Sequence, residues 1–437
     1  MPPFELLRGE DRRMAEEQIR SAFVYAYPLY AFAATRFAAV QNPANADRYP
    51  PNSLRHNRHL SDHASVWITA PNNDTLYSNA WLDLSSGPVR IRVGAMPEGR
   101  YWSLAFMDAF TNHFAVVGQR LEGTGPVDLC VVGPGDADQA DGARVLQAPG
   151  HDAWLFCRCL VDGPDDLARS HAMQDKIEIL SGAGEVSGAR IVPASPVSPE
   201  NFLDVVNELL ARNPVPAGER QMLEQWRSVG LRPGGPGAWN EIGSDIREAW
   251  TRTIGSIYAD LGKAGQQGRQ DFKGWMAAAA DIGNFGDNYP LRASVALGGL
   301  GALEPVEAMY FVKYQDESRA PLDGQSRYLL KVPASGIPTD SFWSFTMYEA
   351  TADGKRFLVE NPIGRYSIGN RTPGLVYNAD GSLDIALQRQ PPDDPQLRAN
   401  WLPTPAGAFQ IALRTYVPRP DLRAGEATLP VVIPVQA

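Results

Sequence analysis

The sequence predicts a mainly β protein with α insertions: two jelly-roll-like antiparallel sandwich or barrel domains, a helical middle segment between them, and an N-terminal helix. Three observations lead there. Short alternating apolar runs bounded by Gly, Pro and Asp fill residues 65–197 and return from Glu304 onward. Between them, after SPVSPE, the periodicity turns helical and β-branched runs become few. And one strand recurs, because WSLAFMDA from Trp102 aligns without gaps to WSFTMYEA from Trp343, placing Asp108 against Glu349.

Each element follows in order. Met14, Ile19, Ala22, Phe23, Tyr27 and Phe32 recur at helical spacing, so residues 1–45 are expected to form a helical arm, interrupted or bent at Pro28. A first β domain over 46–197 carries the strands WITAPNN, TLYSNAWLDL, VRIRV, YWSLAFMDA, FAVVGQR, VDLCVVG and DAWLFCRCLV. In the last of these, Cys157 and Cys159 share one face as small apolar residues. NFLDVVNELLARN opens a helical segment over 198–290, and a second β domain over 291–437 carries AMYFVKYQD, RYLLKVP, FWSFTMYEA, LDIALQRQ and FQIALRTYVP.

The repeat extends beyond one strand. Pro97 and Pro338 stand equally far upstream of the two tryptophans, RIRV is echoed by LLKV, and the acid-x-x-Tyr of Asp74 and Tyr77 by Glu307 and Tyr310. These matches suggest two copies of one β unit, with NPIGRYSIGNRTPG lacking a counterpart in the first copy.

Size and charge bound the function. A chain of 437 residues exceeds one comfortable hydrophobic core, so two or three packed units are expected. A net charge of -10 argues against nucleic acid and against an anionic membrane surface, both of which require a basic footprint. Three cysteines make no disulfide framework. The N-terminus has no apolar signal core and no later segment offers a membrane span, so the chain as written is expected in the cytoplasm, although a leader removed beforehand would leave the same sequence.

Candidate chemistry gathers at four places. In PNNDTLYSNAW, residues Asn72, Asn73, Asp74, Tyr77 and Asn79 form a polar array, and strand alternation puts Tyr77, Asn79 and Trp81 on one pocket-like face. The alternative is a turn in which Asn72 and Asn73 bond local backbone. Asp108 ends an apolar strand face, where desolvation would raise its pKa and suit acid-base work, with His113 as companion and Asn112 as an orienting group. The competing reading is a carboxylate closing the strand onto Thr111 or Asn112, favoured by the acid at the repeated position. Arg365, Tyr366, Asn370 and Arg371 lie on a Gly-rich loop and offer an anion anchor, or an ion pair across the domain interface. His56, His59 and His63 have a spacing that would gather on a helix and hold a metal, yet Asn57, Ser61 and Asp62 argue for an irregular stretch.

The long motifs PNNDTLYSNAWLDLSSGPV and RYWSLAFMDAFTNHF, with the helical middle, resemble the domain of unknown function DUF1254. PLDGQSRYLLKVP, FWSFTMYEA, NPIGRYSIGNRTPGLVYNADGSL and NWLPTPAGAF resemble its companion DUF1214. The resemblance covers nearly the whole chain. It implies a two-domain β architecture with jelly-roll-like folds and self-association as a homo-oligomer, and it supplies no reaction.

No nucleophile elbow, phosphate-binding Gly loop, dinucleotide fingerprint or HExxH is present. The expectation is therefore an enzyme acting on a small polar or anionic organic ligand by hydrolase or lyase chemistry, in a pocket between the β domains. It would need no cofactor, with the histidine trio as the metal candidate. Asp74 and Asp108 would be the acid-base groups, Tyr77 and His113 their proton partners, Asn72, Asn73 and Asn112 orienting groups, and Arg365 or Arg371 the anchor. The alternative is a non-enzymatic carbohydrate- or ligand-binding sandwich, which exposed Trp67, Trp81 or Trp401 on a groove would favour. A third reading makes the polar motifs an assembly surface facing another subunit.

Overall fold

The computed structural model describes residues 9–136, 142–180, 190–351 and 354–435. The first domain contains β1 (Arg55–His56), β2 (Thr75–Asp83), β3 (Val89–Val93), β4 (Trp102–Asp108), β5 (His113–Gly118), β6 (Val127–Val132), β7 (Arg144–Gln147), β8 (Asp152–Leu160) and β9 (Ile177–Ile179). One sheet runs β1-β2-β8-β4-β5 and the other β7-β6-β3-β9. Strand alternation decides which side chains enter the sandwich. Along β8, Leu155, Cys157 and Cys159 join Trp102, Leu104 and Phe106 of β4 in its core. Trp154, Phe156 and Arg158 therefore project from the opposite face.

The second domain contains β10 (Gln270–Phe272), β11 (Trp275–Ala277), β12 (Ala308–Lys313), β13 (Tyr328–Val332), β14 (Trp343–Ala350), β15 (Arg356–Leu358), β16 (Ser367–Gly369), β17 (Leu383–Gln388), β18 (Trp401–Pro403), β19 (Phe409–Tyr416) and β20 (Val431–Pro434). Its sheets run β10-β11-β12-β19-β14-β15, with β16 also on β14, and β18-β17-β13-β20. Among the described residues both domains are open two-sheet sandwiches, and neither closes into a barrel. Pairing is antiparallel except at β6–β7 and β17–β18.

The two sandwiches repeat one topology, since β2-β8-β4-β5 corresponds to β12-β19-β14-β16 and β7-β6-β3-β9 to β18-β17-β13-β20. Register confirms it residue by residue. Tyr77 pairs with Arg158 and Arg158 with Ser103; Tyr310 pairs with Arg414 and Arg414 with Ser344. Outside the ladders the Val161 N–H bonds the Asp74 carbonyl at 2.9 Å, and the Val417 N–H bonds the Glu307 carbonyl at 2.8 Å. Asp74 and Glu307 are thus equivalent positions.

One expectation is corrected here. The SIGNR of the 361–374 stretch does have a counterpart, the VVGQR ending β5: Gly369 lies opposite Ser344 as Gly118 lies opposite Ser103. A Cβ on either glycine would collide with the carbonyl of Trp343 or Trp102, so glycine serves the same close approach in both copies. By this register Arg371 is the partner of Arg120. The sequence hides it because β15 and its loops intervene only in the second copy.

The N-terminal helix Gly9–Val40 runs through Pro28 without interruption. Its Phe23, Ala26, Leu29 and Phe32 are fully buried, and it packs against the helices Pro199–Arg212, Ser244–Gln267 and Tyr289–Gly298. Phe32 meets Trp81 edge-on at 5.0 Å, so this helical layer sits on the outward face of the first domain's larger sheet. The stretch 198–290, read as helical, also holds β10 and β11, which extend the second domain's sheet through β12.

Candidate functional site

Between the two larger sheets lies a seam of polar groups that alternation forces out of the sandwich cores. Asn72 closes an Asx turn, its Oδ1 accepting the Asp74 N–H at 2.7 Å. Its Nδ2 donates to the phenol oxygens of Tyr77 at 3.2 Å and of Tyr416 in the second domain at 2.9 Å. Asp74 accepts the Ser344 hydroxyl at 2.6 Å. The equivalent Glu307 reaches the other way, accepting the Tyr101 hydroxyl at 2.8 Å and Arg120 Nε at 2.7 Å. Each acid of the repeated pair therefore binds the opposite domain.

Two arginines anchor the seam. Arg414 donates to Thr346, to Tyr348 and to the Ala70 carbonyl. Arg158 donates from Nη2 to the Gly301 carbonyl at 3.1 Å and faces Tyr77 through Nε at 3.4 Å. Its Nη1 is buried without a hydrogen-bond partner among the described residues. Burial works against both guanidinium charges, but the surrounding tyrosines, joined by Asp74 at Arg414, outweigh it and hold both cations firmly protonated.

The tyrosines diverge. Burial pushes the Tyr77 phenol up, but Arg158, Arg414 and the Asn72 amide overcome it, leaving Tyr77 below the ordinary tyrosine value. Burial dominates at Tyr101, Tyr310 and Tyr416, which lie above it. Tyr77, Asn79, Trp154 and Tyr310 keep part of their surface accessible, so solvent-sized space adjoins this face. Tyr310 also borders a small cleft formed with residues 277–280, Ile282 and Pro305.

The structure brings Asn72, Asp74 and Tyr77 together and distributes the other expected residues. Asn73 donates to the Ser61 carbonyl. Asn79 accepts the Trp154 indole N–H at 3.2 Å, and Trp81 stacks on Trp154 at 4.9 Å beneath the helical layer. Asp108 turns back on its own loop, accepting the Asn112 N–H at 2.9 Å, while Asn112 Oδ1 takes the Phe285 N–H. Burial pushes the Asp108 carboxyl up to about 6. His113 faces Phe156 and Arg158, beyond the turn that separates it from Asp108.

Arg365 is occupied by the carbonyls of Ala399 and Trp401, both at 2.9 Å, and no contact links it to Asp74. Arg371 pairs with Asp162 across the domains, and Tyr366 meets His63 at 2.7 Å. His56 contacts Ser78, and His59 is exposed. His56 sits on β1, His59 and His63 follow on an irregular stretch, and among the described residues no three potential metal ligands gather. Trp81 and Trp401 are buried, whereas Trp67 is 80% exposed.

Sequence reasoning passed over Arg158 and Arg414. The signal was present: each interrupts an apolar strand three residues before a valine, in RCLV and RTYV. Aligned, they would have pointed to the seam.

The description "Protein of unknown function (DUF1254)" matches residues 51–180, and "Protein of unknown function (DUF1214)" matches residues 307–420. No curated protein matches the chain. The crystal structure of the VPA0106 protein from Vibrio parahaemolyticus has a similar fold, with a TM-score of 0.76 at 21% identity over 97% of this chain and 100% of that one. A putative uncharacterized protein from Burkholderia cenocepacia aligns over 97% of this chain and 93% of its own, at 13% identity and a TM-score of 0.45. Among the described residues no helix is long and apolar enough to cross a membrane.

Proposed function

Since the chain belongs to the two-domain family that joins DUF1254 to DUF1214, whose name carries no reaction, we propose a function from the seam itself: an enzyme that holds a small organic anion on Arg158 and moves a proton through Tyr77. One observation carries this reading. Tyr77 is acidified beside a buried guanidinium that retains an unused donor. A phenol stabilised as phenolate is a competent general base at milder pH than free tyrosine, and a buried arginine is a pre-oriented partner for a carboxylate or a developing oxyanion.

In the lyase form, Tyr77 takes the proton next to a carboxylate bound by Arg158, which stabilises the resulting negative charge. The Tyr416 phenol, kept protonated, donates to the leaving group, and Asn72 fixes both hydroxyls. In the hydrolase form the same base activates a water. Asp74, committed to Ser344, holds the domains in register and touches no substrate, while Arg371 and Arg365 serve structure. Self-association is retained as an expectation of the family.

Ultraviolet titration of tyrosinate tests the reading. One tyrosine is expected to ionise below the rest, its transition lost in Tyr77→Phe and moved to higher pH by saturating sodium acetate, which competes for Arg158. A low transition that survives Tyr77→Phe, or the absence of any low transition, would overturn it.

A further inference from the structure

Two unpartnered polar groups share one aromatic ring beside this site. The Arg158 guanidinium carbon lies 4.9 Å from the centre of Phe156, and the His113 imidazole lies 5.6 Å from it. Both residues are more than nine-tenths buried, at 5% and 7% exposure. Among the described residues, Arg158 Nη1 and both ring nitrogens of His113 have no hydrogen-bond partner, and all three atoms are buried. Burial, reinforced by Arg158, pushes the imidazole down to about 3, so the ring is neutral and offers one donor and one acceptor. Buried polar groups left unmade are costly, and two beside one ring call for an explanation.

The Gly301 carbonyl takes Arg158 Nη2, and the Gly283 carbonyl takes the His113 backbone N–H at 2.7 Å. Both glycines are left-handed, at φ +84° and +83°, and a Cβ at Gly283 would crowd both His113 Nδ1 and Glu304. The two backbone carbonyls that meet these two residues thus belong to glycine turns rather than to a helix or strand. Next to them, Tyr77, Asn79, Trp154 and Tyr310 already adjoin open space.

We propose that this site takes a short hydroxy acid, its carboxylate on Arg158 Nη1 and its hydroxyl on His113, admitted by displacement of the Gly283 and Gly301 turns. The proposal rests on the reading of Arg158 as the anion anchor and adds the second ligand group. A neutral imidazole suits a hydroxyl because it can accept that proton in a hydrogen bond, whereas a second anion would find no cation there.

Calorimetry on the full chain compares sodium acetate with sodium glycolate. Glycolate is expected to bind about ten-fold tighter, the worth of one added hydrogen bond in a closed site. His113→Phe should erase that advantage and keep acetate binding, and Arg158→Gln should lose both ligands. On the unaltered protein, the imidazole nitrogen resonances of His113 should move with glycolate and stay with acetate, which decides the matter even if a variant misfolds. Equal binding of the two acids, with unmoved His113 resonances, would overturn this inference and leave the anion reading standing. Binding of neither acid would overturn both.

Discussion

Arg158 and Arg414 occupy one position in two copies of the same strand set, yet their surroundings differ in a way that four residues explain. In β14, Thr346 and Tyr348 supply the oxygens that Arg414 uses, both at 2.6 Å. The aligned residues of β4 are Ala105 and Met107, which offer no acceptor. Arg158 is therefore left with a free Nη1 and turns toward tyrosines and the Gly301 carbonyl. Duplication kept the cation in both halves while only one half kept the groups that neutralise its hydrogen-bonding demand. A fully engaged arginine is a fastener; the other keeps one donor unpaired among the described residues, which is what the proposed anion site requires.

The largest expected effect separates the two directly. Arg414→Met removes the donor that Thr346 Oγ1, the Tyr348 hydroxyl oxygen and the Ala70 carbonyl accept from and leaves Asp74 without its nearby cation, a loss of about 3–5 kcal/mol. Arg158→Met gives up the bond to the Gly301 carbonyl and the long one to Tyr77, while Nη1 had none to lose, and is expected to cost about 1–2 kcal/mol. Urea unfolding of the two variants measures the gap, and equal losses would erase the distinction between the halves.

A second pair probes what the halves share. Gly118→Ala and Gly369→Ala each press a methyl group against a backbone carbonyl that its own ladder holds in place. Both should lose about 3 kcal/mol, the upper end for overpacking, because backbone yields less readily than a side chain. If only one substitution is costly, the equivalence of β5 and β16 is confined to topology. Thermal and urea unfolding of both variants provide the measurement.

How far the sequence led is visible in the same residues. Alternation within TLYSNAW and DAWLFCRCLV was enough to place Cys157 and Cys159 inward and Tyr77 outward, since a two-residue period survives any packing. The ungapped match of Trp102 with Trp343 disclosed the duplication. Loop-borne candidates fared differently. Arg365 and Arg371 read as anion anchors or as ion-pair partners across the domain interface, but which carbonyl or carboxylate meets them depends on chain segments remote in sequence. Asn72, Asp74 and Tyr77 were found because one short Asx turn and one strand fix them locally. Arg158 was missed because a lone arginine in an apolar strand gains meaning only when its counterpart is aligned and the opposing sheet is in view.

The smallest effect concerns the acids at the end of the repeated strand. Asp108 is 8% exposed, whereas Glu349 is exposed. Burial raises the Asp108 pKa to about 6, against the pull of the Asn112 and Phe110 backbone N–H groups and of Arg292, with Glu219 adding to the rise. The folded protein thus holds this proton more tightly than the unfolded chain does. Below about pH 4 both states are protonated and the group contributes no pH dependence; as pH rises toward 6, stability falls by on the order of 2 kcal/mol. Asp108→Asn retains an oxygen for the Asn112 N–H and carries no charge, so it should abolish that decline and exceed the parent above pH 6. Glu349→Gln, in solvent, should stay within about 0.5 kcal/mol at every pH. Urea midpoints collected across this range provide the measurement, and parallel curves for the parent and Asp108→Asn would mean that the acid shared by both strand ends is equally indifferent in each.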